Sequence, residues 1–375
     1  MSIDLRELEK AILQYFVLPL AYKWFCRGKI SPCKVLFADS KNDGIPYNLR
    51  SMYQEARKRG YECIDFCYNF ETMSAWRKLC TSLAFMKQYA TAKYVFISDY
   101  YLPVSSCRKK KETTVIQLWH ASGLQKMFGF DAGDDLKNLK LINPVRNFDL
   151  VSVSAESMKI VMMKNWRLPA EKIQVLGSSR TDLLFDRTYL ADCRERFFAL
   201  YPEAKGKTLV LWAPTFRGKG YEADIVGIDD VLKIEAQLKE KYYFIRKMHP
   251  HYQKNGAVDN CNMKTEELYA VADILITDYS SVFYDYILLK QKVLFYVPDY
   301  ELYKKDRGLY IDYQKELPFP VIRDKKELKD AIVNAIPVDR QVLAGFKEKF
   351  VKMNDGRSSV RIMDYLEERH GKAFK

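Results

Sequence analysis

The chain has 375 residues, 48% of them hydrophobic, and carries 61 lysines and arginines against 48 aspartates and glutamates, a formal net charge of +13. That length accommodates two domains with a full core in each, and the apolar content without any low-complexity tract excludes a largely disordered protein. The basic balance favours an anionic partner, whether a phosphorylated substrate, a membrane surface or nucleic acid; with no zinc-finger spacing or RNA-recognition signature, nucleic acid is set aside.

Acidic Asp4, Glu7 and Glu9 stand where a secretory leader would carry positive charge, so no signal peptide is expected. Leu5, Leu8, Ile12, Tyr15 and Phe16 fall on one helical face, which predicts an amphipathic helix over 4–18 that Pro19 kinks or ends. The aromatic residues Tyr22, Trp24 and Phe25, interleaved with Lys23, Arg27 and Lys29, suit a segment lying on a membrane surface; packing on the first domain's core is the alternative, and the two are compatible. Gln14, Pro19 and Lys23 interrupt the apolar stretch 11–26, which is too short and too broken to span a bilayer. The eight cysteines show neither a Cys-X-X-Cys pair nor framework spacing and read as reduced thiols of a cytosolic protein, with no structural metal.

From Lys34 onward strands and helices alternate: strand 35–38, helix 47–59 closed by Gly60, strand 63–66, helix 72–89, and strands 94–98 and 115–119. The run Arg108, Lys109, Lys110, Lys111 before the last of these reads as a solvated loop or a contact with an anionic surface. Strands at 149–153 and 173–176 complete the first sheet, and the charged stretch 186–207, with Pro202 and Gly206, marks a domain boundary. The alternation restarts with strand 209–212, helix 229–241 and strands 243–245, 274–276 and 293–296, and closes with helices at 327–335 and 342–368. Repeated units of this kind imply α/β architecture with parallel, doubly wound sheets: an amphipathic segment 1–30, domains at 31–185 and 208–335 with a cleft between them, and C-terminal helices in 336–375.

The polar chemistry gathers where strands end. The apolar run 274–276 meets Thr277, Asp278, Tyr279, Ser280 and Ser281 and then a helical pattern, so a buried strand turns tightly into a helix N-terminus. Unpaired N–H groups, the positive end of the helix dipole and the hydroxyls of Thr277, Ser280 and Ser281 suit a phosphate, although a plain serine cap would read the same way. Strand 243–245 runs into Arg246, Lys247, His249 and His251. In an open parallel sheet this carboxyl edge is where ligands bind.

Of the four histidines, His370 lies in a polar tail, whereas His120, His249 and His251 each follow a predicted strand. Arg246, Lys247 and the helix N-terminus can neutralise a diphosphate, and a neutral imidazole, with an ordinary pKa of about 6.5, can take a proton from an attacking hydroxyl. Transfer of a group from a nucleoside diphosphate donor fits this set. The chain has no Gly-X-Ser-X-Gly elbow, no phosphate-binding P-loop and no early Gly-X-Gly-X-X-Gly fingerprint, which removes acyl transfer, nucleotide hydrolysis and dinucleotide chemistry.

Four stretches, 118–129 with Trp119-His120-Ala121-Ser122-Gly123, 213–217 ending in Phe216-Arg217, Lys247-Met248-His249-Pro250, and Thr277-Asp278-Tyr279-Ser280-Ser281, together resemble the CDP-glycerol glycerophosphotransferase family of wall teichoic acid primases and polymerases. The resemblance covers roughly residues 30–335. It implies a GT-B-like fold of two Rossmann-like domains, the first for acceptor and the second for the CDP-linked donor, with a peripheral amino-terminal region at the cytoplasmic face of the membrane. It also implies CDP-glycerol, or CDP-ribitol in close relatives, as donor and an undecaprenyl-diphosphate-linked saccharide as acceptor, without a cofactor. By resemblance His120 is the general base and His249 steadies the leaving CMP, roles that can be exchanged, while Arg217, Lys247, Thr277, Ser280 and Ser281 bind the donor. Ala121, where polymerase-like members carry glycine after the histidine, leans the reading to a primase adding the first unit. A polymerase, a ribitolphosphotransferase, a glycosyltransferase using a nucleotide sugar and a non-catalytic membrane-associated binding subunit are the alternatives.

Overall fold

The computed structural model describes residues 5–132, 141–218, 224–248 and 258–371, and it divides into two units. The first comprises Met1–Ser122, Phe128–Asp182 and Lys352–Lys375. Its elements in chain order are α1 (Leu5–Ile12), α2 (Leu18–Phe25), β1 (Ser31–Asp39), α3 (Tyr47–Lys58), β2 (Glu62–Cys67), α4 (Ala75–Tyr89), β3 (Ala92–Ile97), α5 (Leu102–Ser105), β4 (Thr114–Gln117), β5 (Leu150–Ser152), α6 (Glu156–Trp166) and β6 (Ile173–Gln174). The strands form a six-stranded sheet in the order β2-β1-β3-β4-β5-β6, every pairing parallel. Val35, Leu36, Phe37 and Ala38 are buried in succession, as a central strand covered on both faces requires.

The second unit comprises Gly123–Met127 and Leu183–Val351. It contains α7 (Arg187–Leu200), β7 (Thr208–Ala213), α8 (Ile228–Leu238), β8 (Tyr242–Arg246), α9 (Thr265–Leu268), β9 (Ile274–Thr277), α10 (Val282–Leu289), β10 (Val293–Tyr296), α11 (Tyr300–Asp306), β11 (Val321–Ile322), α12 (Lys325–Val333) and α13 (Arg340–Phe350). Its five parallel strands run β11-β10-β9-β7-β8. One face is packed with aromatic rings, among them Phe283, Tyr284, Phe295, Tyr313, Phe319, Phe346 and Phe350. The last helix, α14 (Ser358–His370), returns to the first unit, where Ile362, Met363 and Leu366 join Val35, Phe37 and Phe96 in the core.

Three features differ from the sequence-based expectations. Helical structure does not stop at Pro19: a π-helical turn, Leu13–Val17, in which Leu18 N–H bonds the carbonyl of Leu13, precedes α2, and Pro19 occupies the first turn of α2, where a missing N–H costs little. The charged stretch 186–207, expected to mark the domain boundary, lies within the second unit, where α7 buries Cys193 and Phe197 in the core. The C-terminal pattern 342–368 is two helices, α13 and α14, that belong to different units. In the basic run Lys109 pairs with Asp149 at 2.8 Å and bonds Thr113 O, while Lys110 bonds the carbonyls of Gly28 and Ala90, so half of that run holds the first unit together.

The segment Gly123–Met127 is fixed on the second unit by its backbone. Tyr310 N–H donates to Gln125 O at 2.9 Å and Met127 N–H to Gly308 O at 3.1 Å, on either side of an antiparallel bridge between Lys126 and Leu309. The Tyr284 hydroxyl donates to Leu124 O, and a Cβ on Gly123 would lie 2.6 Å from the Tyr284 ring, so only glycine permits that approach.

Candidate active site

In the second sheet the chain steps from β7 outward to β8 and then back to β9 on the other side of β7, which puts the topological switch between β7 and β9. Connections leave such a point in opposite directions and open a crevice at the carboxyl ends of the strands. The residues there are 213–217 and 277–281. Thr277 Oγ1 donates to Ala213 O at 2.8 Å, and the buried Asp278 carboxylate accepts Thr215 N–H at 2.8 Å and Tyr279 N–H at 2.6 Å, so the two strand ends are tied together.

Arg217 completes this tie. Its guanidinium lies 3.0 Å from Asp278 and 2.8 Å from Asp299, donates to Thr215 O at 2.6 Å, and rests 4.8 and 4.7 Å from the ring centroids of Tyr279 and Tyr303, which stack on each other. Burial pushes the Asp278 carboxyl up, with Arg217 and the N–H donors pulling the other way; for Arg217 burial opposes the charge, and the two carboxylates outweigh it. Thr277 and Arg217, both expected to hold a donor, therefore spend their polar atoms on the protein. Lys247 does the same, bonding Asp259 at 3.0 Å and Cys261 O at 2.8 Å. Ser280 and Ser281 are different: they are partly exposed at the start of α10, Ser281 makes no side-chain capping bond, and Ser280 Oγ meets Val282 N–H only at 3.5 Å.

Lys126, from the docked segment, is half-buried in the same unit, and no hydrogen bond or ion pair of its ammonium is found among the described residues. Burial, together with Arg307 and Arg217, pulls it down to about 8 against the attraction of Asp278.

In the first unit His120 follows β4 after a change of backbone direction at Trp119, whose φ of +57° is one of two positive values at non-glycine residues among those described. The strain is held by packing and a hydrogen bond: the Trp119 ring stacks on Phe128 at 5.0 Å and meets Trp166 edge-on at 4.9 Å, and the Trp119 backbone N–H donates to Gln117 Oε1 at 2.9 Å. The imidazole of His120 leans on Trp119 with centroids 4.1 Å apart, its Nδ1 lies 3.7 Å from Asp99 Oδ2, and its side chain is 44% exposed. Arg180 donates to the His120 carbonyl. Burial would raise the Asp99 carboxyl, but His120, Lys41 at 2.5 Å and the Tyr100 N–H hold it below the ordinary range. The result is a partly exposed imidazole with one nitrogen facing a carboxylate that is held ionised.

Of the residues expected from sequence, Arg217, Thr277, Ser280 and Ser281 gather at the β7/β9 switch, Lys247 follows β8, and His120 stands on the first sheet. His249, like His251, lies outside the described residues. Asp99 and Lys126 were missed. Asp99 ends the β3 strand run just as His120 follows β4, and Lys126 stands inside a stretch already singled out, so both were within reach of the strand-end argument.

Two doubly wound parallel sheets, each with its polar residues gathered at the carboxyl edge, define a GT-B-like α/β protein. Residues 20–368 match the profile described as CDP-glycerol:poly(glycerophosphate) glycerophosphotransferase, and the chain belongs to that family of teichoic acid primases and polymerases. It is 30% identical over 352 residues to the teichoic acid ribitol-phosphate primase of Bacillus spizizenii (strain W23), covering 89% of this chain and 90% of the relative. It is 28% identical over 291 residues to the teichoic acid glycerol-phosphate primase of Bacillus subtilis (strain 168), covering 74% of each. The fold is also that of the wall teichoic acid polymerase TagF, at a TM-score of 0.75 and 20% identity over 100% of both chains; a single-residue variant of TagF has also been solved after soaking with CDPG.

Proposed function

We propose that the chain is a primase-type phosphotransferase that moves one glycerol phosphate from CDP-glycerol to a lipid-linked saccharide at the membrane surface and releases CMP. The observation that carries the primase reading is the match to a primase along nine-tenths of that relative's length. CDP-ribitol as donor is the second reading, favoured because the same relative is a ribitol-phosphate primase.

In this reading an acceptor hydroxyl attacks the donor's β-phosphorus. His120 takes its proton, the new P–O bond forms, and the bond from the β-phosphorus to the bridging oxygen breaks, so that CMP leaves with the electron pair. Asp99 orients and stabilises the imidazolium. The N-terminus of α10, with Ser280 and Ser281, binds the diphosphate. An open cavity of about 410 Å³ in the first unit, lined by Asp43, Asp65, Tyr68 and Arg77 among others, supplies the donors, acceptors and aromatic face that a saccharide recognises. The test is incubation of purified protein with CDP-glycerol or CDP-ribitol and a lipid-linked disaccharide analogue, reading CMP release and product mass. One added unit is expected. A ladder makes the chain a polymerase, turnover with CDP-ribitol alone changes the donor, and release of a nucleoside diphosphate from a sugar nucleotide replaces the reading.

Membrane attachment is proposed through the amino-terminal helices. Ala11, Gln14, Leu18 and Tyr22 face inward, with Gln14 donating to Asn143 O at 2.8 Å and to the Ser105 carbonyl at 3.2 Å. Leu8, Ile12, Phe16, Leu20 and Trp24, every fourth residue, are 42 to 70% exposed. In a straight α-helix such a stripe drifts about 40° per step. The π turn winds more residues into one turn and reverses the drift midway, which keeps the stripe on one side. Lys23, Arg27 and Lys29, all exposed, lie beside Trp24 in sequence and supply positive charge next to the stripe. No helix among the described residues is long and apolar enough to cross a membrane. Replacing Phe16, Leu20 and Trp24 together by serine should abolish sedimentation with anionic liposomes while leaving soluble-substrate turnover intact; retained sedimentation would move the contact to another surface.

A further inference from the structure

We propose that the Lys126 ammonium is an anion ligand of the second unit, binding a phosphoryl oxygen of the donor's diphosphate; this rests on the CDP-linked donor read above. Its backbone is clamped on both sides by Tyr310 N–H to Gln125 O and Met127 N–H to Gly308 O, and Gln125 donates to the Tyr313 hydroxyl, which in turn donates to Asp278 O at 2.8 Å. Through this chain of bonds the segment is held against the residue that follows β9, three positions before the cap of α10. The placement is therefore rigid, and the side chain is carried to the β7/β9 switch by the fold.

The charge balance there is incomplete. Asp278 from the β9 end, Arg217 from the stretch after β7 and Arg307 from the end of α11 are the charged groups facing Lys126. Arg217 already engages both Asp278 and Asp299, so the two carboxylates of this cluster have a cation between them and Lys126 is in excess. An ammonium has three N–H donors, and removing them from water without a partner is costly. A lysine retained there without hydrogen bonds to the described residues is suited to a partner that arrives with the substrate, and a diphosphate supplies the charge and the oxygen acceptors.

Calorimetric titration of the full chain with CDP-glycerol, CDP-ribitol, CMP and inorganic pyrophosphate tests this, comparing wild type with Lys126→Met, which keeps the stem without the charge, and Lys126→Arg. Lys126→Met is expected to weaken the CDP-polyol and pyrophosphate by about 10–100-fold, with a smaller loss for CMP. Its melting temperature should not fall, because at neutral pH a charged amine whose folded value lies near 8 opposes folding. Affinity of wild type for the CDP-polyol, whose diphosphate diester keeps a constant charge, should hold below pH 8 and decline above it; the decline should vanish in Lys126→Arg, which does not titrate there. Equal affinities in wild type and Lys126→Met overturn the proposal. If wild type binds neither CDP-polyol, the donor reading fails by itself, and pyrophosphate decides: weaker binding by Lys126→Met upholds the anion ligand, unchanged binding overturns it. Should Lys126→Met fail to fold, the Lys126→Arg profile decides, since a decline through pH 8 that persists there overturns the assignment.

Discussion

Replacing His120 by alanine should lower turnover by about 10²–10⁴-fold with little change in donor affinity, the span associated with loss of one proton-transfer group. The geometry sets this expectation. The imidazole leans on Trp119, Nδ1 faces Asp99, and the side chain is 44% exposed. The partner substitution Asp99→Asn should reduce turnover less, and it should move the acid limb of the pH–rate profile to lower pH, because the imidazolium loses its counter-ion. Asp99 also contributes to stability with a definite sign. Its carboxyl is held low when folded, so the contribution is present above the unfolded value of about 4 and is lost as the pH falls through the lower folded value. An unchanged single-turnover rate in His120→Ala would assign the proton to another group.

Arg217→Met should be the most damaging substitution to stability, costing about 3–5 kcal/mol by urea unfolding, because it leaves the buried Asp278 and the largely buried Asp299 without their cation. Lysine should not rescue it, since a single ammonium lacks the separate nitrogens with which the guanidinium meets two carboxylates and the Thr215 carbonyl beside two tyrosine rings. The alternative, that Arg217 chiefly binds the donor, predicts the reverse pattern: a folded variant of near-normal stability that has lost donor affinity. The unfolding midpoint and a donor titration on the same preparation separate the two.

The elements most legible in the sequence are those whose pattern is purely local. Central parallel strands such as β1 and β9 are short continuous apolar runs between polar turns, and both emerge within a few residues of expectation. The edge strand β6 also falls within the run expected at 173–176, whereas β11, two residues long, carries too little apolar content to announce itself. Pro19, expected to kink or end the helix, instead sits in the first turn of α2 after a π turn that a local rule cannot see. The site divides the same way. The strand-end positions of His120 and Ser281 follow from sequence order, but whether a hydroxyl or guanidinium faces a ligand or its own protein depends on contacts far apart in the chain. Thr277 to Ala213 spans 64 positions and Arg217 to Asp299 spans 82. Asp99 and Lys126 stand at positions that the strand-end argument reaches, but the groups that give them a role, His120 for Asp99 and Asp278 for Lys126, come near only when the sheets form.

The return of α14 to the first unit has a consequence for how the molecule is made. Ile362, Met363 and Leu366 cover one face of a sheet whose first strand is β1, and Tyr94, Arg59 and Tyr61 hydrogen-bond to Leu366 and Glu367. A ribosome delivers β1 more than three hundred residues before it delivers that helix. Through most of synthesis the nascent first unit must wait with an oily flank uncovered, and a message cut short before codon 362 would yield a chain that exposes it permanently, a natural substrate for chaperones and proteases.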